Sequence, residues 1–311
     1  RGYDPNKIEK FIQELAWRDY WQQIWIAKKE DINQDIKSQQ FPVANHSFST
    51  AINKAETGIH AIDNAIKKFY KTGYIHNHLR MYIASIACNI GQSHWKMPAK
   101  WMYYHLLDAD WASNALSWQW VAGTNATKKY IANQDNINKY CFTNQKKTFL
   151  DVSYEDLARI KIPEILKKTS FIELKTPLPK QQVIDFKKQA PTLVYNFYNI
   201  DPNWKKDIIA NRILLMEPSI FSKYPISQNT IDFVLALSKE NIPNIQIFVG
   251  EFDELKNKYH HQKIIFKEHP LNYNYKGIEE SRDWMFPVKG YNSSFFSFWK
   301  KCKKEMVLFT K

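Results

Sequence analysis

The segment HLLDADWASNALSWQW (residues 105–120) decides the fold, because it sets two acidic residues, Asp108 and Asp110, among leucines and tryptophans. Charged side chains are rarely buried without partners. Asp110, Asn114 and Trp118 follow at steps of four, so a helix would carry a carboxylate, an amide and an indole on one face. Such a face can line a pocket for a flat, polar heterocycle, since the carboxylate accepts hydrogen bonds and the amide donates and accepts them.

Two other interpretations of the Asp108-Ala-Asp110 pair remain open at this point. An Asp-x-Asp pair can bind a metal ion in a glycosyltransferase or a phosphoryl-transfer enzyme. Alternatively, one aspartate can cap a helix that begins near Trp111. Because this spacing is common by chance, the pair alone does not choose between the functions.

The segment GYIHNHLRMYIAS (residues 73–85) places polar residues in an apolar helical pattern. His76 and His78 are two residues apart, so they face different sides of a helix and do not form a two-histidine metal site. Arg80 in such a helix needs a carboxylate, and we expect Asp108 or Asp110 to provide it.

The segment ELAWRDYW (residues 14–21) brings Glu14, Trp17 and Arg18 onto adjacent helical turns. Trp17 can be a platform on which a planar ligand stacks. It can equally be a core tryptophan beside a surface ion pair, and the segment alone favours this second interpretation.

Composition bounds the class of protein. The chain has 311 residues, of which 44% are hydrophobic, as in globular proteins, and we see no apolar run long enough to span a membrane. Its net charge of +13 slightly favours nucleic acid as a partner, and its 11 tryptophans suit either a planar ligand or a large aromatic core. The three cysteines are far apart, which indicates a reducing, cytoplasmic setting without disulfides.

The pattern of apolar residues predicts helices over 6–29, 58–72, 75–90 and 98–120, the last two broken near Gly91 and Pro98. It also predicts two helices within residues 151–205. From about residue 206, the segments NRILLMEP, NIQIFVGEF and QKIIFKEHP read as buried strands with a helix, SQNTIDFVLALSKEN, after the first of them. This order predicts a small parallel α/β unit.

Taken together, FIQELAWRDYW, TGIHAIDNAIKKFYKTGYIHNHLRMYIAS and HLLDADWASNALSWQW resemble, in order and in spacing, the flavin-binding helical domain of the DNA photolyase/cryptochrome family. The resemblance spans roughly residues 8–125. It implies a mainly α fold, with a photolyase-type all-helical FAD-binding domain over residues 1–150, a helical extension over 151–205 and a smaller C-terminal α/β unit over 206–311. Because the chain begins with Arg1 close to the first helix, we expect it to lack its natural N-terminal part.

The resemblance implies FAD as the cofactor. In the family, the two aspartates that match Asp108 and Asp110 bind FAD, and the arginine that matches Arg80 pairs with the first of them. The residue that matches Asn114 faces the reactive ring nitrogen of the flavin.

The resemblance also implies a pocket for a cyclobutane pyrimidine dimer in UV-damaged DNA. The family builds that pocket from a glutamate, two tryptophans, an asparagine and a methionine, which match Glu14, Trp17, Trp120, Asn77 and Met81. Six-four photolyases have histidines in place of the last two. The expected protein is therefore a monomeric, blue-light-dependent deoxyribodipyrimidine photo-lyase that binds DNA and no membrane.

The sequence departs from the family at the electron relay. Trp118 and Trp95 match the proximal and middle tryptophans, but the segment FPVANHSF (residues 41–48) offers no distal one, and Trp101 or a tyrosine could replace it. The catalytic residues implied are Glu14, Asn114, Trp118 and Trp95. Beyond Trp120, the family's Asn-Pro-containing run is replaced by KKYIANQDNINKYCF.

Two alternatives therefore remain. One is a cryptochrome-like blue-light flavoprotein without repair activity. The other is a protein without flavin, either an Asp-x-Asp transferase or a basic nucleic-acid-binding protein. In the C-terminal unit, His260, His261 and His269 could form a metal site, although a solvated or capping role is favoured and we expect no metal.

Overall fold

Among the residues that the structure describes, the helical part contains seven helices. The computed structural model describes residues 7–126, 128–258 and 263–306. The helices are α1 (Glu9–Lys28), α2 (Thr50–Asn53), α3 (His60–Thr72), α4 (Asn77–Ser85), α5 (Lys96–His105), α6 (Trp111–Ala122) and α7 (Gln134–Cys141). A 3₁₀ turn, Lys29–Asn33, follows α1, and a π-helical turn, Ile86–Ile90, extends α4. The predicted helices over 6–29, 58–72 and 75–90 are confirmed.

Local signals explain where these helices end. Gly73 caps α3 with a φ of 64°, a left-handed conformation that glycine adopts without strain. A Cβ at this position would also lie 2.5 Å from the Leu107 side chain. Asp110 caps the start of α6, and Gly123 ends it in the left-handed region. The interruption predicted near Gly91 and Pro98 is confirmed: the π-helical turn ends at Ile90, and Pro98 lies in the first turn of α5, where its missing N–H costs no helical hydrogen bond. The single helix predicted over 98–120 is wrong, because the chain leaves the helix after His105 and Asp110 caps a new one.

The core of the helical part is rich in tryptophan. Helix α6 packs against α1, α4 and α5. The side chains of Trp95, Trp101 and Trp111 are fully buried at the centre. A short strand, β1 (Phe48–Ser49), pairs antiparallel with β2 (Thr169–Ser170) and ties the later chain to this core. Burial of these large rings removes much apolar surface from water and stabilises the helical part.

The C-terminal part contains a five-stranded parallel sheet. Its strands are β3 (Thr192–Tyr195), β4 (Asn211–Met216), β5 (Ile245–Val249), β6 (Ile264–Lys267) and β7 (Ile278–Glu280), in the spatial order β5-β4-β3-β6-β7. The helices of this part are α10 (Pro218–Lys223), α11 (Gln228–Asn241), α12 (Phe252–Lys258) and α13 (Phe295–Met306), and α13 packs against α1. The predicted α/β unit, with its three strands and the helix between the first two, is confirmed.

The two helices predicted within residues 151–205 are wrong. The first stretch forms only two single turns, α8 (Tyr154–Leu157) and α9 (Glu164–Lys167). The second contains the central strand β3, whose four residues are buried and paired on both sides with β4 and β6. A short apolar run such as TLVY is ambiguous between helix and strand, and the two neighbouring strands satisfy its backbone hydrogen bonds here.

Candidate functional site

Asp110 is a buried carboxylate at the start of α6, with an exposed fraction of 4%. Its Oδ1 accepts a hydrogen bond of 2.7 Å from the backbone N–H of Ser113, so Asp110 is the cap of this helix. Its Oδ2 accepts from Nε2 of Gln22, and Nε of Arg18 lies 4.0 Å away. The capping interpretation therefore describes the structure, and the buried charge is stabilised by donors from α1 as well.

Asp108 lies two residues earlier and is 56% exposed. Nη2 of Arg80 donates to both of its carboxylate oxygens, at 3.1 and 3.0 Å. Nε of Arg80 donates to the backbone carbonyl of Ile75 at 2.9 Å, which orients the guanidinium. Of the two partners expected for Arg80, the structure pairs it with Asp108, and the pair remains accessible from outside.

Asn114 and Trp118 occupy the following turns of α6. Asn114 is buried, and its Nδ2 donates to the backbone carbonyl of Ala99 at 2.8 Å. Trp118 is only 2% exposed. The amide and the indole thus lie inside the helical part, where they help to join α6 to α5.

Trp95 is fully buried and donates from Nε1 to Asp35 at 2.7 Å. Its ring centroid lies 5.7 Å from that of His94, which stacks on His46 at 4.9 Å. Two imidazoles therefore lie next to Trp95, and one of them comes from the segment 41–48 that lacks the expected tryptophan.

Trp17 is covered by the C-terminal helix. The ring of Phe295, in α13, stacks on it with a centroid distance of 3.7 Å and an interplanar angle of 10°. Glu14, one turn earlier, is exposed. One face of the Trp17 ring is therefore occupied by the chain's own phenylalanine.

The other three residues predicted to contact DNA lie on α4 and α6. Asn77, in the first turn of α4, is exposed, and Met81, one turn later, is partly buried. Trp120 is 40% exposed and stacks on Tyr130. The structure thus covers Trp17, whereas Asn77 and Trp120 remain accessible.

Sequence analysis missed a group of side chains around Asp110. Nη1 of Arg282 donates to Oε1 of Gln22 at 2.8 Å, and Nε2 of the same glutamine donates to Asp110. The Gln22 side chain therefore links Arg282, in the C-terminal part, to the Asp110 carboxylate. The hydroxyl of Tyr198 accepts from the backbone N–H of Trp111 at 3.1 Å, and its ring stacks on His269. Burial, opposed by no nearby carboxylate, lowers the pKa of His269, and the positive charge of Arg282 adds to this effect. No local sequence pattern predicts that these residues lie near Asp110, because they are more than 75 positions from it in sequence.

A cavity of about 690 Å³ lies at the carboxyl edge of the parallel sheet. It is lined by Trp25 and Lys29 of the helical part and by loops that follow β4, β5 and β6. The loop after β4 contributes Glu217, a buried carboxylate whose pKa is raised by burial. None of the residues predicted to bind flavin lines this cavity.

The family model described as the FAD binding domain of DNA photolyase matches residues 11–169, slightly more than half of the chain. The chain belongs to the DNA photolyase family. It is 32% identical over 127 residues to a deoxyribodipyrimidine photo-lyase of Synechococcus sp., an alignment that covers 40% of this chain and 26% of that protein. It is 31% identical over 129 residues to the mitochondrial deoxyribodipyrimidine photo-lyase of Saccharomyces cerevisiae, covering 39% of this chain and 22% of that protein.

The matches therefore span only about a quarter of the length of these photolyase relatives. Among solved structures, a cryptochrome of Synechocystis sp. PCC6803 aligns with a TM-score of 0.38 and 21% identity, over 42% of this chain and 29% of that one. A class III photolyase of Agrobacterium tumefaciens aligns with a TM-score of 0.36 and 22% identity, over 51% of this chain and 42% of that one.

FAD is the cofactor of the matched photolyase domain, and the residues around Asp110 fit it. Oγ of Ser113, whose backbone N–H donates to Asp110, is buried and has no hydrogen-bond partner among the described residues. The same holds for Nε2 of His269, whose ring stacks on Tyr198. Such atoms are uncommon and can be satisfied by a ligand. A carboxylate has about four acceptor positions, so Asp110 can accept from a ligand in addition to its protein donors. Arg80 and Asp108 offer a charged, accessible pair nearby in sequence.

Metal sites and membrane-spanning helices were sought among the described residues. These residues contain no group of three or more His, Cys, Asp or Glu that could hold a metal ion. None of the helices among them is long and apolar enough to cross a membrane. His260 and His261 lie outside the described residues, and His269 lies beside Tyr198 as given above.

Proposed function

We propose that this chain is the flavin-binding part of a light-dependent DNA-repair enzyme that splits cyclobutane pyrimidine dimers. The proposal is supported by membership of the photolyase family. The structural observation that carries it is the accessible ion pair between Arg80 and Asp108, a residue that precedes the buried Asp110 by two positions in sequence. A guanidinium that is bound to one carboxylate leaves other donors free for a ligand.

Arg80, Asp108, Asp110 and Asn114 would hold the cofactor. When bound, FAD absorbs light and supplies or accepts single electrons, which is chemistry that no side chain provides. Arg80 pairs with Asp108, and the exposed carboxylate can also accept hydrogen bonds from sugar or ring donors. Asp110 and Asn114 are rigidly held in the first turns of α6, which orients any group that they bind.

The substrate side would use Glu14, Trp17, Trp120, Asn77 and Met81. An exposed carboxyl such as that of Glu14 can hydrogen-bond to an extruded base, and indole rings stack on its faces. Extrusion costs least at a damaged, poorly paired site. The net charge of +13 attracts the phosphates of DNA, so binding should weaken as salt increases.

Replacement of Glu14 tests the repair proposal. In the full-length protein with bound, reduced flavin, Glu14→Ala should slow blue-light repair of a dimer-containing oligonucleotide by at least about tenfold, because positioned acids and bases contribute this much or more. Glu240→Ala, at an exposed glutamate in α11, is the matched control. An unchanged rate in the Glu14 variant would remove this residue from catalysis, and absence of repair by the flavin-loaded parent would refute the proposal itself.

A cryptochrome-like flavoprotein without repair activity is the second candidate. Two observations favour it: the segment 41–48 contains no tryptophan, and Phe295 covers Trp17. This candidate predicts a protein that contains flavin, binds DNA and leaves dimers intact under blue light. The repair assay above therefore separates the two candidates.

A further inference from the structure

The cavity of about 690 Å³ at the carboxyl edge of the parallel sheet is lined by none of the residues assigned above to flavin or DNA. We call it the carboxyl-edge cavity. From the central strand β3, the chain builds the sheet first through β4 and β5 on one side and then through β6 and β7 on the other. In sheets wound in two directions, ligands bind outside the carboxyl ends of the strands. The volume is also that of a small-molecule site, which is typically about 300–1,000 Å³.

The wall of the carboxyl-edge cavity is negatively charged. Among the described residues that line it are two lysines and six carboxylates. The carboxylates are Glu30, Glu217, Glu251, Asp253, Glu268 and Glu279. One of the lysines, Lys223, binds Glu30, so its charge is already paired. A cleft lined by one sign of charge attracts ions of the opposite sign, and this one does so on a chain whose net charge is +13.

Two of the carboxylates are fixed by hydrogen bonds within the wall. Oε2 of Glu217 accepts from the hydroxyl of Tyr275. Glu251 accepts from the backbone N–H of Ser219 at 2.9 Å and from its hydroxyl at 2.6 Å. Burial raises the pKa of Glu217, and the negative charges of Glu251 and Asp253 add to this effect. These three carboxylates therefore repel one another, and a cation bound between them would relieve the repulsion.

The negative charge is spread around the cavity. The carboxylates come from five segments, which follow α1, β4, β5 and β6 or lie in β7. Asp253 and Glu279 are exposed, and neither forms an ion pair with a described residue. The described residues contain no group of three or more His, Cys, Asp or Glu that could hold a metal ion. The spread of charge favours an organic cation that carries several charges at intervals.

Aromatic rings form the apolar part of the same wall. They are Trp25, Tyr224, Phe252, Tyr273 and Tyr275. Phe252 and Tyr275 stack on each other with a centroid distance of 4.1 Å and an interplanar angle of 8°. Tyr273 is 70% exposed, so its ring is accessible to a ligand. Ring faces attract organic cations, and methylene groups pack against them.

A linear polyamine combines the two properties that this wall selects, because its ammonium groups are separated by short methylene chains. The phosphate of a nucleotide would instead be repelled by the carboxylates. We propose that the carboxyl-edge cavity binds a linear polyamine. Asp253 and Glu279 pair with its ammonium groups, and the ring of Tyr273 covers its carbon chain.

Isothermal titration of spermidine into the whole chain at low salt tests this inference. The parent should bind one spermidine, more tightly than it binds n-butylamine, which has a single ammonium group, or AMP, which has a phosphate. Tyr273→Ala should weaken spermidine binding about 2- to 30-fold, the change expected for loss of one cation–π contact, whereas Tyr273→Phe should stay within about twofold. Asp253→Asn should weaken binding about 1.5- to 5-fold, as expected for one exposed ion pair.

Phe296→Ala and Glu240→Gln are the matched controls, because they change an exposed ring and an exposed carboxylate that do not line the cavity. Both should bind spermidine as the parent does. A parent that does not bind spermidine, or that binds AMP more tightly, would overturn the inference. Equal affinities of Tyr273→Ala and Phe296→Ala would also overturn it. The titration uses no flavin, DNA or light, so its result is independent of the proposed function.

Discussion

Phe295→Ala should strongly destabilise the protein. Phe295 is 3% exposed and stacks on Trp17 at 3.7 Å, with further ring contacts to Tyr20 and Trp299. Truncation of a buried phenylalanine typically lowers the free energy of unfolding by about 3–5 kcal/mol, through lost burial and the cavity that remains. We expect about 4 kcal/mol, a large fraction of the roughly 5–15 kcal/mol that stabilises a typical domain.

The next residue provides the control, since Phe296 is 71% exposed on the same helix. Phe296→Ala should change the free energy of unfolding by no more than about 0.5 kcal/mol. Urea unfolding followed by circular dichroism measures the free energy of unfolding of both variants. If the slope of that free energy against urea concentration is unchanged, the substitution has altered stability without altering the surface exposed on unfolding. Equal losses in the two variants would refute the contact between Phe295 and Trp17 as the anchor of α13.

The same substitution has a functional consequence. If Trp17 stacks on a substrate base, Phe295 competes with that base for the same ring face. At a temperature where it remains folded, Phe295→Ala should bind dimer-containing DNA several-fold more tightly than the parent, by an amount within the stacking range of about 1–3 kcal/mol per base. Weaker binding, with the fold intact, would argue that Trp17 acts only in the core.

Two further predictions concern the cofactor and acid stability. Arg80→Ala should lower the ratio of flavin to protein after purification. Arg80→Lys should restore it only in part, because lysine has one side-chain nitrogen and cannot bind Asp108 while a second nitrogen donates to the carbonyl of Ile75. An unchanged ratio would exclude the pair from FAD binding. Burial lowers the pKa of His105 to about 4, so the folded state requires its neutral ring. The neutral ring therefore contributes at most about 3 kcal/mol to the free energy of unfolding; this contribution is complete above pH 6.5, the ordinary pKa of histidine, and is lost as the pH falls towards 4. The melting temperature of His105→Phe should fall less than that of the parent between pH 6.5 and 4. An equal fall in both proteins would contradict the assignment.

Much of the helical part could be predicted from sequence, because its signals are local. The apolar spacing of α3 and the glycine at its end fall within one continuous segment, as do Asp110 and the start of α6. The strands β4, β5 and β6 were predictable as short apolar runs. Strand β3 was not, because Thr192–Tyr195 becomes a strand only through its two neighbours, which follow later in the chain.

The contacts of the candidate site also fall into two groups, those that the sequence could predict and those that arise from long-range packing. Charge and apolar context limited the partner of Arg80 to Asp108 or Asp110, since a buried helix needs a partner for its arginine, and the structure pairs it with Asp108. The contacts that Gln22, Arg282 and Tyr198 make around Asp110 arise from the packing of the C-terminal part on α1 and α6. No pattern within either part specifies that packing.

Contacts within the chain separate two groups of aromatic rings that sequence alone could not tell apart. On α1, the rings of Trp17 and Trp25 are contacted by Phe295 and by Tyr198, Tyr224 and His269. Polar contacts beside them join the same parts of the chain: Glu9 binds Lys303 and the indole of Trp299, and Asp19 accepts from the backbone of Met285. These contacts hold the C-terminal part against α1.

Trp120 differs in this respect, because its ring is 40% exposed and its stacking partner, Tyr130, follows only ten residues later in the helical part. The rings on α1 meet partners more than 170 residues away in sequence. Local periodicity can therefore predict that a ring of α1 faces inward, but it cannot predict which distant ring covers it.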